Sequence, residues 1–396
     1  MLKTVVMGGS LGGLTAALFL RETGCRVAVY ERSAMPLVGL VGAGIVLNPA
    51  TVRYFDSHSG ADIQSMSISA RWVRYMDSQG TIAAEQPCAY RFSSYNSIYR
   101  ALLDEFRSDD YHLGAAITGF DQDGQGVTAQ FADGRHERCD LLVCADGFGS
   151  TARRLLLPAV QLEYAGYVAW RGIVNESEVS AATFAELQEA ITYHLMPNSH
   201  VLVYPIPVMD RAPGGAQPFL NWLWYRNVPH GPRLDDLMTD CEGILREVSL
   251  GPGAVREENV ATLRREAAAL LPPPLAELIL NTVQPFLQAI VDCEAPHMAF
   301  GRLCLIGDAA FVARPHAAAG TAKAAEDGWQ LARALRATGG QVAAALDRWE
   351  PGQLALGRSV LARTREAGRR AQVDNAWRIG DPLPFGLYTV GDSTMQ

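Results

Sequence analysis

The 396-residue chain contains no C-x-x-C pair. Its seven cysteines (Cys25, Cys88, Cys139, Cys144, Cys241, Cys293 and Cys304) are odd in number and irregularly spaced. That pattern suggests neither a disulfide framework nor a zinc site, and it fits a reducing compartment. Positive charge is not in excess. With 34 Lys and Arg against 42 Asp and Glu, the formal net charge is −8. Neither nucleic acid nor an anionic membrane surface is therefore expected as a partner. No uninterrupted apolar run reaches about 18 residues, so no membrane span is expected. The apolar stretch from Val5 to Leu20 is broken by Gly8, Gly9, Ser10, Gly12 and Gly13, and Arg21-Glu22 follows with no small-residue cleavage site. It is not read as a secretion signal, and the expected address is the cytoplasm. What is present is ordinary globular composition, 48% hydrophobic and 19% charged. The length suggests roughly two to three domains and a core large enough to fold without staples.

The first 32 residues read as strand, tight turn, helix, strand. KTVVM (3–7) is a short buried strand and GGSLGGL (8–14) is the turn. TAALFLRET is an apolar-faced helix ended by Gly24, and CRVAVYER (25–32) is a second strand. In such a βαβ unit Gly8 permits the tight turn and Gly13 permits close helix–strand packing. The helix N-terminus is then aimed at a pyrophosphate. Glu31, 23 residues after Gly8, ends the second strand, where a carboxylate accepts ribose hydroxyls and repels a 2′-phosphate. Ser10 stands where the middle glycine of G-x-G-x-x-G would be. This unit points to a dinucleotide without choosing between NAD and FAD.

Two later segments repeat the pattern of a buried strand running into an acidic turn. DLLVCADGFGSTAR (140–153) carries Asp146-Gly147, with Ser150 and Arg153 at a helix start. GRLCLIGDAAFVARPHAAAGTAKAAED (301–327) carries Gly307-Asp308, a loop with Pro315, and a small-residue helix from about Gly320. With these three motifs in this order, the chain resembles the single-component FAD-dependent aromatic hydroxylases over most of residues 1–350. GYVAWRG (166–172), HVLVYPIP (200–207), the 314–327 segment and the tail PFGL (384–387) resemble the 2,6-dihydroxypyridine 3-monooxygenase group within that family. The 6-hydroxynicotinate and salicylate hydroxylases come next.

The resemblance implies α/β plus antiparallel β architecture. A Rossmann-like FAD-binding domain of the p-hydroxybenzoate hydroxylase type (1–67, 96–160 and 292–350) would carry an inserted β-sheet substrate domain (68–95 and 161–291). A C-terminal helix and tail (351–396) would follow. It also implies FAD held by Gly8, Ser10, Leu11, Gly13, Glu31, Arg32, Val46, Arg100, Asp146, Asp308, Pro315, Ala318, Ala319, Gly320 and Thr321. Within that set Asp308 would meet a ribityl hydroxyl, and the helix after Ala319 would point its positive end at the flavin ring. Co-substrates would be NADH or NADPH and O2, reacting through a flavin hydroperoxide, in a homodimer. Three departures from the family pattern are Cys144 for a Gly, Phe311 for a His and Ala318 for a Gly.

The alternating stretches 166–174, 191–195, 200–206 and 219–226 read as antiparallel strands, and 68–76 is expected to join them. Residues 234–248 and 275–284 read as helices, and 209–218 as a hairpin loop. His200 and Tyr204 lie at i and i+4, on one face of a strand. By the resemblance His200 holds the substrate and Tyr204 assists removal of the ring-hydroxyl proton. The alternative is a satisfied histidine at a strand start and a core tyrosine. Asn48, Trp222, Tyr225 and His316 are further pocket candidates, each with a packing or turn role as its alternative. Arg358, Arg363, Arg365, Arg369 and Arg370 read as a solvated basic face or a subunit contact. The substrate expected is a small electron-rich hydroxylated ring, best 2,6-dihydroxypyridine. A decarboxylating hydroxynicotinate- or salicylate-type hydroxylase is the rival, and its substrate would want a cation in the pocket. A flavin-dependent halogenase and a non-catalytic flavoprotein are the outlying readings. The W-x-W of residues 222–224 fits the halogenase, but Arg226-Asn227 stands where Ile-Pro should follow.

Overall fold

The computed structural model describes residues 1–37, 44–58, 60–107, 109–208 and 217–394. Most of the loop expected at 209–218 lies outside the described residues. Three sheets organise the described residues. The first has six strands in the order Ala299–Phe300, Leu303–Leu305, Leu141–Cys144, Lys3–Met7, Arg26–Tyr30, Tyr111–His112. It is parallel except at the Ala299–Phe300 edge. Its central strands are buried on both faces, which is why they read as continuous apolar runs.

The parallel register sets the site. Thr4 pairs with Leu141 and with Val27, and Leu142 with Leu303. The ladder continues just past the strand ends through Gly8 N–H to Tyr30 O (2.9 Å), Ala145 N–H to Met7 O (2.8 Å) and Ile306 N–H to Cys144 O (3.0 Å). The turns that follow these strands therefore open side by side, at the edge where ligands bind in such sheets.

The second sheet contains Phe286–Glu294, Glu163–Asn175, Gln217–Asn227, Ser199–Val208, Ala190–Met196, Ile68–Met76 and Ile82–Ser94 as successive neighbours. Ile68–Met76 does join it, parallel to Ala190–Met196. Side chains alternate between two cores. Val168, Trp170, Val201, Val203, Trp222 and Trp224 face helices Glu257–Leu270 and Pro273–Asn281. Tyr167, Ala169, Leu202, Tyr204, Leu223 and Tyr225 face the other way. A third, three-stranded sheet spans Ile117–Gln122, Val127–Phe131 and His136–Cys139.

The helix expected over 234–248 is corrected. Only Pro232–Leu237 is helical. Asp240 then accepts the N–H groups of Glu242 and Ile244, and Gly243 takes φ +80°, so the chain turns. The principal helix of this region, Glu257–Leu270, was not anticipated.

Helices Leu11–Glu22 and Gly320–Ala337 cross closely. A Cβ on Gly328 would stand 2.7 Å from Ala16 Cα, and one on Gly12 2.9 Å from Ala324 Cβ. The small-residue composition of the second helix allows this approach. The 31-residue helix Val342–Gln372 closes the back of the molecule, with Gly357 against the Phe311 ring and Gly368 against the Tyr167 hydroxyl. Gly328→Ala is expected to force the two crossing helices apart and lower stability by roughly 1–3 kcal/mol, read as a lower urea midpoint. An unchanged midpoint would show that the contact yields freely.

Candidate active site

The first turn is built by exclusion. Gly8 has φ +103°, and a Cβ there would lie 2.4 Å from Ala145 O. On Gly13 it would lie 1.9 Å from Gly8 O. Ser10 precedes the helix but caps it with no side-chain bond. Its Oγ shares a hydrogen bond with Tyr95 Oη instead (2.7 Å). The helix N–H groups are thus left for a ligand. Residues 8–12, GGSLG, also spell the G-x-S-x-G of a hydrolase nucleophile, but no histidine is hydrogen-bonded to Ser10 among the described residues. Glu31 is buried, and its two oxygens accept Gly9 N–H and Ser33 N–H at 2.8 Å each. It braces the turn as well as lining the cleft.

In the second motif one oxygen of Asp146 accepts Ser150 Oγ–H (2.6 Å). The other accepts the N–H groups of Thr151 (2.7 Å) and Ala152 (3.2 Å), which caps helix Thr151–Leu156. Buried Arg153 donates to Phe148 O, to Asp308 O (3.0 Å) and to Ala309 O (3.1 Å). It ties the second motif to the third, a role the sequence did not disclose. Gly307 N–H donates to Asp327 (2.8 Å), which is paired with Lys323 inside the same helix. Asp308 is open to solvent through the cleft but enclosed by protein elsewhere. Burial by the surrounding protein pushes its pKa up to about 6 against the pull of Arg153 and Lys323. Pro315–Ala317 forms one tight helical turn, and Ala318 takes the left-handed conformation (φ 52°, ψ 28°). Helix Gly320–Ala337 then begins without a side-chain cap.

Two stretches of one cleft result. Gly8, Ser10, Glu31, Arg32 and Asp146 line the first. Ser10, Leu11, Val46, Asp308, Pro315, Ala318, Ala319, Gly320 and Thr321 line the second. Tyr95 and Arg171, neither of them expected, line both. Arg100 does not join them. On helix Tyr95–Phe106 it lies one residue beyond the Tyr95–Tyr99 face and borders a separate groove with Asp62 and Asp104. Gly13 supports the turn from behind.

Beside the Pro315 loop a smaller pocket is lined by Tyr193, Leu202, Tyr225, His316, Arg370, Trp377 and Phe385, among others. Leu202, Tyr225, Pro315 and Phe385 also line the cleft, so the two spaces adjoin. His316 Nε2 is hydrogen-bonded to Tyr167 Oη at 2.8 Å. Burial, with the nearby Arg314 charge, holds His316 down to about 3. His200 is not on this wall. It stacks behind Tyr225 (4.6 Å between ring centroids), and its Nδ1 is engaged by Gln372 Nε2 at 2.9 Å. Burial and then His316 hold it well below the usual histidine range. Tyr204 lines the cleft, stacked on Phe92 at 4.5 Å, and burial pushes it up to about 12 with Arg171 opposing.

Two pocket expectations are corrected. Trp222 lies on the opposite face of the sheet, and its Nε1–H donates to Thr282 Oγ1 (2.8 Å). Asn48 is spent on the turn before its helix, accepting Ala50 N–H (3.2 Å) and donating to Ser393 Oγ (2.9 Å).

Because His200 and His316 are neutral in the fold, the unfolded chain binds more protons between about pH 6.5 and pH 3. Stability therefore falls as pH drops through that window. His316→Gln is expected to remove up to about 1.4 kcal/mol per pH unit of that dependence, measured by urea denaturation from pH 7 to pH 5. An unaltered slope would contradict a neutral, buried His316.

Comparison with known proteins agrees with this geometry. The FAD binding domain family model matches residues 1–214, and an FAD binding domain-like model matches 164–292. The chain is 36% identical to a 2,6-dihydroxypyridine 3-monooxygenase of Paenarthrobacter nicotinovorans, over 99% of this chain and 98% of that protein. The solved 2,6-dihydroxypyridine-3-hydroxylase from Arthrobacter nicotinovorans superposes with a TM-score of 0.92 at 37% identity, covering 98% of each chain. HpxO of Klebsiella pneumoniae, solved with FAD and uric acid, superposes at 0.76 with 25% identity, over 94% of this chain and 90% of that one. The chain belongs to the FAD-dependent aromatic hydroxylases, flavoprotein monooxygenases with a Rossmann-like FAD-binding domain and a β-sheet substrate domain.

Proposed function

We propose that this protein hydroxylates 2,6-dihydroxypyridine at C3, with NADH and O2 as co-substrates. The observation that carries this reading is the lining of the smaller pocket. Its side-chain polar groups are the phenols of Tyr193 and Tyr225, the indole N–H of Trp377, neutral His316, and one cation, Arg370, which is already paired with Asp381 at 2.7 Å. Such a wall suits a small hydroxylated ring without a carboxylate. The 36% identity to a 2,6-dihydroxypyridine 3-monooxygenase supports the same choice. A decarboxylating hydroxylase would want an unpaired cation there, and this lining offers none among the described residues.

The cleft suits FAD on its own terms. Two helix N-termini, at Leu11 and Gly320, present N–H groups without side-chain caps. They favour a pyrophosphate and an electron-rich ring, respectively. We assign Gly8, Ser10, Leu11, Glu31, Arg32 and Asp146 to the adenosine and pyrophosphate end, with Gly13 behind. Val46, Asp308, Pro315 and Ala318 to Thr321 are assigned to the flavin end. The chemistry FAD supplies when bound is transfer of one oxygen atom of O2 to an electron-rich ring, after reduction by a nicotinamide.

The chain's own groups then orient the ring and manage its proton. His316, with Nε2 engaged by Tyr167, retains Nδ1 for the ring hydroxyl, and a ring oxyanion beside it would raise its basicity. Tyr204, at about 12, stays protonated at neutral pH, so we assign it a donated hydrogen bond rather than proton removal. Trp377 and Phe385 keep water from the pocket. A cytoplasmic homodimer completes the proposal, supported by seven free cysteines and by the family resemblance.

The test is NADH oxidation under air with product analysis. Stimulation by 2,6-dihydroxypyridine with matching trihydroxypyridine is expected, independent of chloride. Peroxide without hydroxylated product would overturn the substrate. His316→Gln is expected to lower kcat about 100-fold with FAD retained, and His200→Gln less. The reverse order would return the substrate-facing role to His200.

A further inference from the structure

The basic face of the C-terminal helix holds one arginine with a different position from the rest. Arg370, in the last turn of Val342–Gln372, lines the smaller pocket, and the tail folds back over it. Arg370 Nη2 donates to Asp381 Oδ2 (2.7 Å) and to Ala376 O (3.4 Å). The same Asp381 oxygen accepts Arg378 N–H at 2.9 Å, so the main chain also positions the carboxylate. Asp381 sits between Trp377 and Pro382, both on the pocket wall.

The tail does not depend on this pair. Gly386 N–H donates to Ala317 O at 3.0 Å, and Arg363 donates to the carbonyls of Gly386 (3.1 Å) and Leu387 (2.5 Å). Asp392 accepts the N–H groups of Leu387, Tyr388 and Thr389. With 41% and 26% side-chain exposure, the Arg370–Asp381 pair contributes little to stability. Its effect is on the field in the pocket. A lone guanidinium there would attract a ring carboxylate and grip it in a charge-assisted bond. With Asp381 alongside, the attraction is cancelled and a second carboxylate is repelled.

We propose that Asp381 is a specificity determinant: by occupying Arg370 it excludes carboxylated hydroxypyridines and admits uncharged ones. This rests on the reading above that the smaller pocket holds the ring.

The experiment compares binding of 6-hydroxynicotinate and 2,6-dihydroxypyridine to the oxidised holoenzyme by calorimetry at low salt. In Asp381→Asn the ratio of affinities is expected to move about 10-fold toward the carboxylated ring. Asp381→Glu should keep the wild-type ratio, and adding Arg370→Gln to Asp381→Asn should restore it. An unchanged ratio in Asp381→Asn, or a shift that survives loss of Arg370, overturns the proposal. Filling the pocket with Ala367→Phe separates the two failures. If 2,6-dihydroxypyridine still binds that variant, the pocket reading falls and this inference with it. If binding is lost while Asp381→Asn leaves the ratio unchanged, only the inference falls.

Discussion

The parallel ladder of the six-stranded sheet is the constraint on which the rest depends. Lys3–Met7 lies between Leu141–Cys144 and Arg26–Tyr30, and Leu303–Leu305 pairs on the far side of Leu141–Cys144. Parallel pairing puts all four C-terminal ends on one edge. A slip by one residue would turn every side chain over and separate the turns. Register is pinned because these strands are buried on both faces. Gly8, Asp146 and Asp308, spread over 300 residues of chain, meet for this reason.

Strands alone would bring the turns together without fixing them. Arg153 reaches from the second motif to the carbonyls of the third. Asp327 takes the Gly307 amide and is itself neutralised by Lys323, so a buried charge is offset within its own helix. Glu31 secures the first turn from both sides. The site's turns are thus braced by Arg153, Asp327 and Lys323 from outside the cleft lining and by Glu31 from within it, which keeps their geometry set before binding.

The same economy marks the second wall. The antiparallel sheet sorts its aromatics by parity. Trp222 and Trp224 go to the helix-covered core, and Tyr204 and Tyr225 go to the cleft. The histidines are stacked in depth, with His316 at the pocket and His200 behind Tyr225. The neutral His316 imidazole and high-pKa phenols give the pocket hydrogen-bonding groups without net charge. The tail supplies the remaining wall.

The strand–turn–helix grammar of the cofactor site was legible in the sequence because it is local. A glycine turn, its helix and the terminal acid lie within 32 residues, and the later motifs repeat that short-range pattern. Strand parity was legible too, since period two follows from the pleat. Which parity faces the cleft was not, and Trp222 and Tyr225, three residues apart, differ on that alone. The turn role of Asn48 was offered only as an alternative, and its partner Ser393, 345 residues away, could not be read from sequence. Arg370 read as part of a solvated basic face or a subunit contact, Phe385 only as part of the PFGL resemblance, and Asp381 and Trp377 carried no reading at all. Sequence by itself determined a dinucleotide site and the strand–turn–helix order that builds it, because those rest on backbone conformation over short spans, and the resemblance carried by three such motifs narrowed the dinucleotide to FAD. The tertiary structure alone decided which side chains share the pocket and which charges cancel there, because those depend on contacts between distant segments that no local period records.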